Sequence, residues 1–233
     1  MTLTLVTLSI LAATTMFATG ITVILLRLGW PKRLELQGPK RRYGTFSKRL
    51  PLILFNLSLL FIGPACVLPW VGFAFSISTP TIMDIVGIPL IILVFDDTLF
   101  YFWHRFLHRN KWMYRKVHRL HHKAFAPLPL DYIYAHPAEW VTGTLGPITG
   151  LICIYLISGP INAWGFWVFA VVRQLHEINI HSGTRSYFLK YAPNISDTES
   201  HDYHHARPND GNYASIFEHW DRLCQTKVDS TSL

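Results

Sequence analysis

Of the 233 residues, half are hydrophobic and 14% aromatic, whereas only 15% are charged, well below the roughly 25% usual for a soluble domain. The net charge is +7, but the basic residues flank apolar runs and accompany no recognition motif, which argues for contact with anionic headgroups and against nucleic acid as a partner. Cys66, Cys153 and Cys224 have no paired spacing, so a disulfide framework, a zinc ribbon and an iron–sulfur cluster are excluded as well.

About 20 apolar residues suffice to cross the hydrocarbon core of a bilayer, and residues 1–26, 50–83 and 140–172 carry no charge. The first run ends at Arg27, followed by Pro31, Lys32 and Arg33. It lacks the basic start and short apolar stretch of a cleavable signal and reads as a retained anchor helix. The second, Leu50 to Met83, reads as one tilted helix plus a turn, with Gly63-Pro64 and Pro69 leaving a kinked or re-entrant pair open. A third helix is expected from about Thr81 to His104, with Asp84 near one end and Asp96 and Asp97 toward the other. Ser158-Gly159-Pro160 divides the last run into a hairpin of two spans, 141–158 and 161–178.

Charge orients these pieces. Arg27, Lys32, Arg33, Lys40, Arg41, Arg42, Lys48 and Arg49 lie between the first two runs, and Arg105, Arg109, Lys111, Arg115, Lys116, Arg119 and Lys123 follow the third. The positive-inside rule puts both stretches in the cytoplasm. The expected fold class is therefore all-α, a polytopic membrane helical bundle of about four to five spans with a cytosolic histidine-rich helical cap. Its divisions are N-terminal transmembrane helices over 1–103 with a basic cytosolic loop at 27–49, cytosolic histidine clusters over 104–139, a transmembrane hairpin over 140–180, and a cytosolic C-terminal cap over 181–233.

Eight of the twelve histidines fall in three clusters: HRFLH with His104 and His108, HRLHH with His118, His121 and His122, and HDYHH with His201, His204 and His205. On an α-helix, residues three and four apart share one face with Cβ atoms about 5–6 Å apart, so each cluster offers its imidazoles in one direction. Asn110 caps, and Pro127 stops, an expected helix of about four turns carrying the second cluster. Ser196-Asp197-Thr198-Glu199 reads as a capping box opening a short helix that Pro208 closes around the third. Asp97, seven residues before His104, lies two turns up the same face, where its carboxylate could take the outer N–H of a ligating imidazole. Asp96 and Asp97, carboxylates within a membrane helix, are functional candidates.

Two triads and a pair exceed what one metal can use, so the natural count is two. Imidazole suits iron, zinc, copper and nickel, and no thiolate set accompanies it. Iron activating O2 beside the bilayer is the sharper reading, with zinc open on spacing alone.

With HxxxH, HxxHH and HxxHH boxes in order, the chain resembles the fatty acid hydroxylase and sterol desaturase superfamily of membrane di-iron oxygenases. YAHPAE at 134–139, IHSG at 180–183, GNYAS at 211–215 and WDRLCQT at 220–226 are most similar to its sterol 4-methyl oxidase branch, over about residues 95–226. The resemblance implies helices, a cytosolic histidine cap, two iron ions, O2 as co-substrate, and electrons from a b-type cytochrome or a ferredoxin with its reductase. Part of the basic charge could dock such an acidic donor. It also implies metal ligation by His104, His108, His118, His121, His122, His181, His201, His204 and His205, with His181, before Ser-Gly, as the ninth.

His176 and His136 are further possible ligands. His176 stands five residues before His181, about 140° away on an ideal helix, so both reach one site only if the helix breaks. Glu177 is either behind an imidazole or a partner of Arg173, and Asp202 is a further supporting candidate. His136 is weighed against a hydrogen-bonded structural role, and His219 is read as structural. Thr184-Arg185-Ser186 departs from the branch's pattern after HSG, and DSTSL lacks a dilysine retrieval signal, so endoplasmic reticulum and bacterial inner membrane both fit.

The expected activity is a membrane monooxygenase that hydroxylates an unactivated C–H bond of a sterol or fatty acyl lipid. A lipid desaturase of the same superfamily is the alternative, distinguished by product mass. A membrane zinc transporter or sensor is the reading from another class, disfavoured because these histidines begin at the end of a span rather than at the bilayer midplane.

Overall fold

In lipid every backbone N–H and C=O must find its partner within the protein, so long apolar runs fold as helices. The computed structural model describes residues 1–29, 35–36, 46–185 and 194–229. Among the described residues, four helical stretches are long and apolar enough to cross a membrane: 2–28, 46–74, 83–109 and 137–158. The first is α1 (Thr2–Leu28), and the second contains α2 (Phe46–Val71), an uninterrupted helix despite Pro51, Pro64 and Pro69. The re-entrant pair is thus not formed. A π-helical turn at Met83–Gly87 leads into α3 (Ile88–Arg109), which extends past His104 to include the whole HRFLH box. Large side chains such as Phe17, Phe55, Ile62, Trp70 and Ile157 are more than half exposed, as a lipid-facing surface requires. The chain is a membrane protein.

The expected hairpin exists as two helices, α6 (Leu145–Ser158) and α7 (Ala163–Ile180). Gly159, at φ 77°, supplies the left-handed turn between them. Residues Phe75–Ser76 (β1) and Ile161–Asn162 (β2) pair in parallel beside that turn, pinning the end of the second span to the start of α7. α7 carries Arg173, His176 and Glu177 and is not among the four long apolar stretches, so four of the four to five expected spans meet that test. In the basic loop, Lys32, Arg33, Lys40, Arg41 and Arg42 lie outside the described residues, as do 230–233 of the tail.

α3 is the central post, with α6 and α7 against it. Gly146 of α6 meets α3 so closely that a Cβ there would sit 2.6 Å from the Asp96 Cα and 3.0 Å from its carbonyl oxygen. Gly146→Val is therefore expected to destabilise the protein by about 1–3 kcal/mol, as overpacking does. Thermal unfolding in detergent reads this out, and an unchanged midpoint would show that the two helices part freely. On the other side, Asp96 accepts from Arg173 Nε of α7 at 2.5 Å, and Arg173 also pairs with Glu177.

The second histidine box departs from expectation. Asn110 does cap a helix, accepting from the Trp112 and Met113 N–H groups, but that helix is the six-residue α4 (Lys111–Lys116). The α-helix ends in a turn at Val117 (φ −117°, ψ −68°), and His118–Lys123 forms a 3₁₀ helix. The bend has a clear consequence: α4 has no buried residue, whereas His118, His121 and His122 are all buried. The third box lies on α8 (Thr198–Ala206), with Asp197 rather than Ser196 as its cap, accepting from Ser200 N–H.

Candidate metal centre

Among the described residues, two sets of imidazoles converge in the interior. His104, His108, His118, His122 and His204 form one, and His121, His181, His201 and His205 the other, with the potential donor atoms of each set within 4.8 Å of one another. All nine are buried. They are the nine that the resemblance implies as ligands. Each HxxHH box divides: His118 and His122 join the five-histidine group while His121 joins the four, and His201 and His205 join the four while His204 joins the five. The expectation that each box points one way holds for HRFLH, whose two histidines share the five-histidine group, and is corrected for the two HxxHH boxes, where the i,i+4 pairs stay together and the middle histidine turns to the neighbouring group.

The outer nitrogens settle the tautomers. His104 Nδ1–H donates to the Tyr213 carbonyl at 2.7 Å and His204 Nδ1–H to the Gly211 carbonyl at 2.8 Å. His121 and His181 donate likewise to the carbonyls of Tyr134 and Glu177, both at 2.9 Å. His118 Nδ1 lies 2.7 Å from Glu139 Oε1. A carbonyl can only accept, so the rings of His104, His121, His181 and His204 carry their proton on Nδ1 and present a bare Nε2 lone pair inward. Yet His104 Nε2 is 3.2 Å from that of His204 and 3.0 Å from that of His118. Lone pairs that face each other at that distance repel unless a cation sits among them. Burial holds the imidazoles of His118, His122, His201, His204 and His205 neutral, with pKa values well below the ordinary range, and pushes His181 down to about 4. Neutral, nitrogen-only and converging, the donor set fits transition-metal ions and not a proton network.

Supporting residues differ from the expected ones. Asp97 touches no imidazole: its Oδ1 accepts from the Ile216 and Phe217 N–H groups at 2.8 and 3.1 Å. Asp221 Oδ1 and Oδ2 accept from the Tyr213 and Ala214 N–H groups at 3.0 and 2.8 Å. Together they hold the 211–217 strap whose Gly211 and Tyr213 carbonyls orient His204 and His104. Asp96 serves Arg173, and Glu177 pairs with Arg173 and accepts from Ser215 Oγ at 2.7 Å, its carboxylate lying 3.7 Å from His181 Nδ1. Asp202 is fully buried on α8.

A second strap, 128–135, presents the Tyr134 carbonyl to His121. It is held from α1 by Thr22 Oγ1, which accepts from Leu130 N–H, and from α2 by Asn56, which donates to the Ile133 and Ala135 carbonyls. Arg49 of α2 pairs with Asp131 at 3.0 Å. The N-terminal helices thereby reach the site without contributing a histidine.

His176 and His136 join neither group. α7 runs unbroken to Ile180, so His176 points away from His181 and its Nε2–H donates to the Ser215 carbonyl at 2.7 Å. His136 is the N-cap of α5 (Pro137–Thr142), its Nδ1 accepting from Ala138 N–H. His219 opens α9 (His219–Leu223) and lies against Trp220, whose Nε1–H donates to Thr98. Glu139 is the residue missed, standing in the YAHPAE segment whose histidine drew attention instead. Phe100, Tyr114 and Tyr213 wall the five-histidine group, their rings 5.0–5.4 Å from His104 or His108.

A helical membrane bundle that buries nine imidazoles in two groups able to hold metal ions is the class the fold and site define, and the chain has known relatives. Residues 89–226 match the fatty acid hydroxylase family, to which this chain belongs. Its relatives include the very-long-chain aldehyde decarbonylase GL1-11 of Oryza sativa subsp. indica, 32% identical over 94% of this chain and 84% of the relative. Methylsterol monooxygenase 2-2 of Arabidopsis thaliana is 30% identical over 90% and 80%. Methylsterol monooxygenase 1 of Rattus norvegicus is 37% identical over 58% and 44%. No solved structure matches. Membership makes the protein an oxidoreductase of an iron-dependent oxygenase family acting on lipids in a membrane setting, and the similarity extends beyond sterol oxidases to the aldehyde-named relatives.

Proposed function

We propose that this chain is a non-haem di-iron monooxygenase that uses O2 and two electrons to hydroxylate an unactivated C–H bond of a sterol or fatty acyl lipid. The observation that carries the reading is the inward convergence of nine neutral imidazoles as five plus four. An iron pair held there supplies O2 activation. The chain's residues fix the ligand geometry through the two straps, keep the imidazoles deprotonated by burial, and exclude water with the aromatic wall of Phe100, Tyr114 and Tyr213. Lipid reaches the site from the bilayer, and an acidic b-type cytochrome or ferredoxin supplies electrons on the basic face, which positive-inside charge places in the cytoplasm.

The decarbonylase relative matching nearly the whole chain favours a second reading, in which a long-chain aldehyde is the substrate. Purified protein given a reductant, ¹⁸O2 and a panel of sterols, acyl lipids and long-chain aldehydes separates them. Hydroxylation yields a product heavier by one ¹⁸O atom. Loss of two hydrogens indicates desaturation, shortening by one carbon indicates the aldehyde reaction, and neither oxygen uptake nor product across the panel would refute the reading.

A further inference from the structure

Threonine hydroxyls along α1 are tied into the packing. Thr7 Oγ1 donates to the Leu3 carbonyl and accepts from Trp167 Nε1–H of α7, Thr14 Oγ1 bonds the Ile10 and Leu11 carbonyls at 3.0 and 3.2 Å, and Thr22 Oγ1 accepts from Leu130 N–H. Thr15 differs. The acceptor a helical threonine finds four residues back is here the Leu11 carbonyl, which already takes Thr14, and Thr15 Oγ1 is buried with no hydrogen-bond partner. Tyr132, on the 128–135 strap, brings its phenol against Thr15 and within the fields of Glu177 and Arg173, the pair beside His181. Its hydroxyl too is buried and closes no hydrogen bond. Burial holds that phenol protonated, above its ordinary pKa range, so both hydroxyls can donate and accept. A hydroxyl left unpaired in a dry interior is costly, and one oxygen atom placed between these two would satisfy both. Each side chain keeps some exposed surface, and the adjoining Met16 and Phe17 are more than half exposed, so the pair borders the lipid-facing flank of α1.

We infer that the Thr15 and Tyr132 hydroxyls form a subsite for the polar end of the lipid substrate, and that this end is a neutral oxygen, an alcohol or a carbonyl, rather than a carboxylate or phosphate. Arg173, the cation nearby, is already shared by Asp96 and Glu177, so an anionic end group would find no free counter-charge there. A single neutral oxygen needs none. The strap that carries Tyr132 also presents the Tyr134 carbonyl to His121, so one segment serves both the subsite and the four-histidine group. This assignment rests on the lipid-oxidising reading proposed above.

The test uses full-length, iron-loaded protein in detergent, kept anaerobic so that binding is read without turnover. Affinities for octadecanol, octadecanal, octadecane and octadecanoate, and for cholestanol and cholestane, are compared between wild type, Thr15→Val and Tyr132→Phe. At least one of the alcohol, aldehyde and sterol probes should bind each variant about 3–10-fold more weakly than wild type, one hydrogen bond being lost. Octadecane, cholestane and octadecanoate should be unchanged, as should iron content and circular dichroism. With O2 and reductant added, KM for the affected probe should rise while kcat stays near that of wild type. Thr15→Val, on a helix that carries no histidine, decides the matter if Tyr132→Phe loses iron. Oxygenated and hydrocarbon probes that change alike or not at all, or a wild type that binds no oxygenated probe, would overturn the subsite and leave two hydroxyls bridged by water only. Octadecanoate weakened as much as the alcohol would overturn the selectivity for a neutral end. The expected binding changes with no O2-dependent product in any of the proteins would instead overturn the oxygenase reading and keep the subsite as a lipid-binding one.

Discussion

Purified His121→Ala is expected to yield no hydroxylated lipid and to lose the metal of the four-histidine group while keeping that of the five. Only His181, His201 and His205 would remain in that group, and each of them has the inward-facing nitrogen of a neighbour as its alternative partner. His108→Ala removes one of five imidazoles instead, leaving four, enough for a tetrahedral nitrogen site. The loss of metal should therefore be more severe in His121→Ala than in His108→Ala, although both disturb turnover. Iron content per chain after gel filtration, measured beside product formation, checks the order. Full turnover with full iron in His121→Ala would remove that histidine from the site.

The second large effect is expected far from any histidine. Arg49 and Asp131 are almost completely buried and 3.0 Å apart, Arg49 also facing the Tyr134 ring at 5.8 Å. Removing one member of such a pair strands the other, at about 3–5 kcal/mol. Arg49→Met should unfold at a clearly lower temperature, whereas adding Asp131→Asn should restore most of the loss, since the amide oxygen still accepts from Leu128 N–H. The defect should also reach the metal, because the same strap carries the Tyr134 carbonyl to His121. Burial raises the Asp131 carboxyl to about 6 against the pull of Arg49 and the Leu128 N–H. A raised folded pKa contributes stability that is full below the unfolded value and is lost as pH rises through the folded one. The deficit of Arg49→Met should therefore be smaller at about pH 5 than at about pH 8. A pH-independent deficit, or no rescue by the second substitution, would show that the pair is not the cause.

What sequence alone conveyed depended on whether a feature is periodic. The apolar runs and the i,i+4 spacing of His104 with His108 are local regularities, and both reappear in the helices. The partition of each HxxHH box between two groups is not local: it follows from the bend at Val117 and from how α8 meets α3. Asp97 illustrates the same limit, since two helical turns put it on the right face but the outer nitrogen of His104 is taken by a carbonyl 109 residues away in the chain. Backbone carbonyls at Tyr134, Glu177, Gly211 and Tyr213 orient four of the nine histidines. Such partners leave no side-chain signature to read. Arg49 looked like one more topology charge, and only tertiary packing pairs it with Asp131. Glu139 was within view because it ends the YAHPAE segment, three residues after a histidine that turned out to cap a helix.

The most direct test of the central claim is metal analysis of anaerobically purified wild-type protein, followed by iron reconstitution and addition of O2, reductant and lipid. Two irons per chain, with O2 consumed in step with lipid oxidised, is the expected result. Zinc alone, with no O2-dependent product after reconstitution with iron, would contradict it.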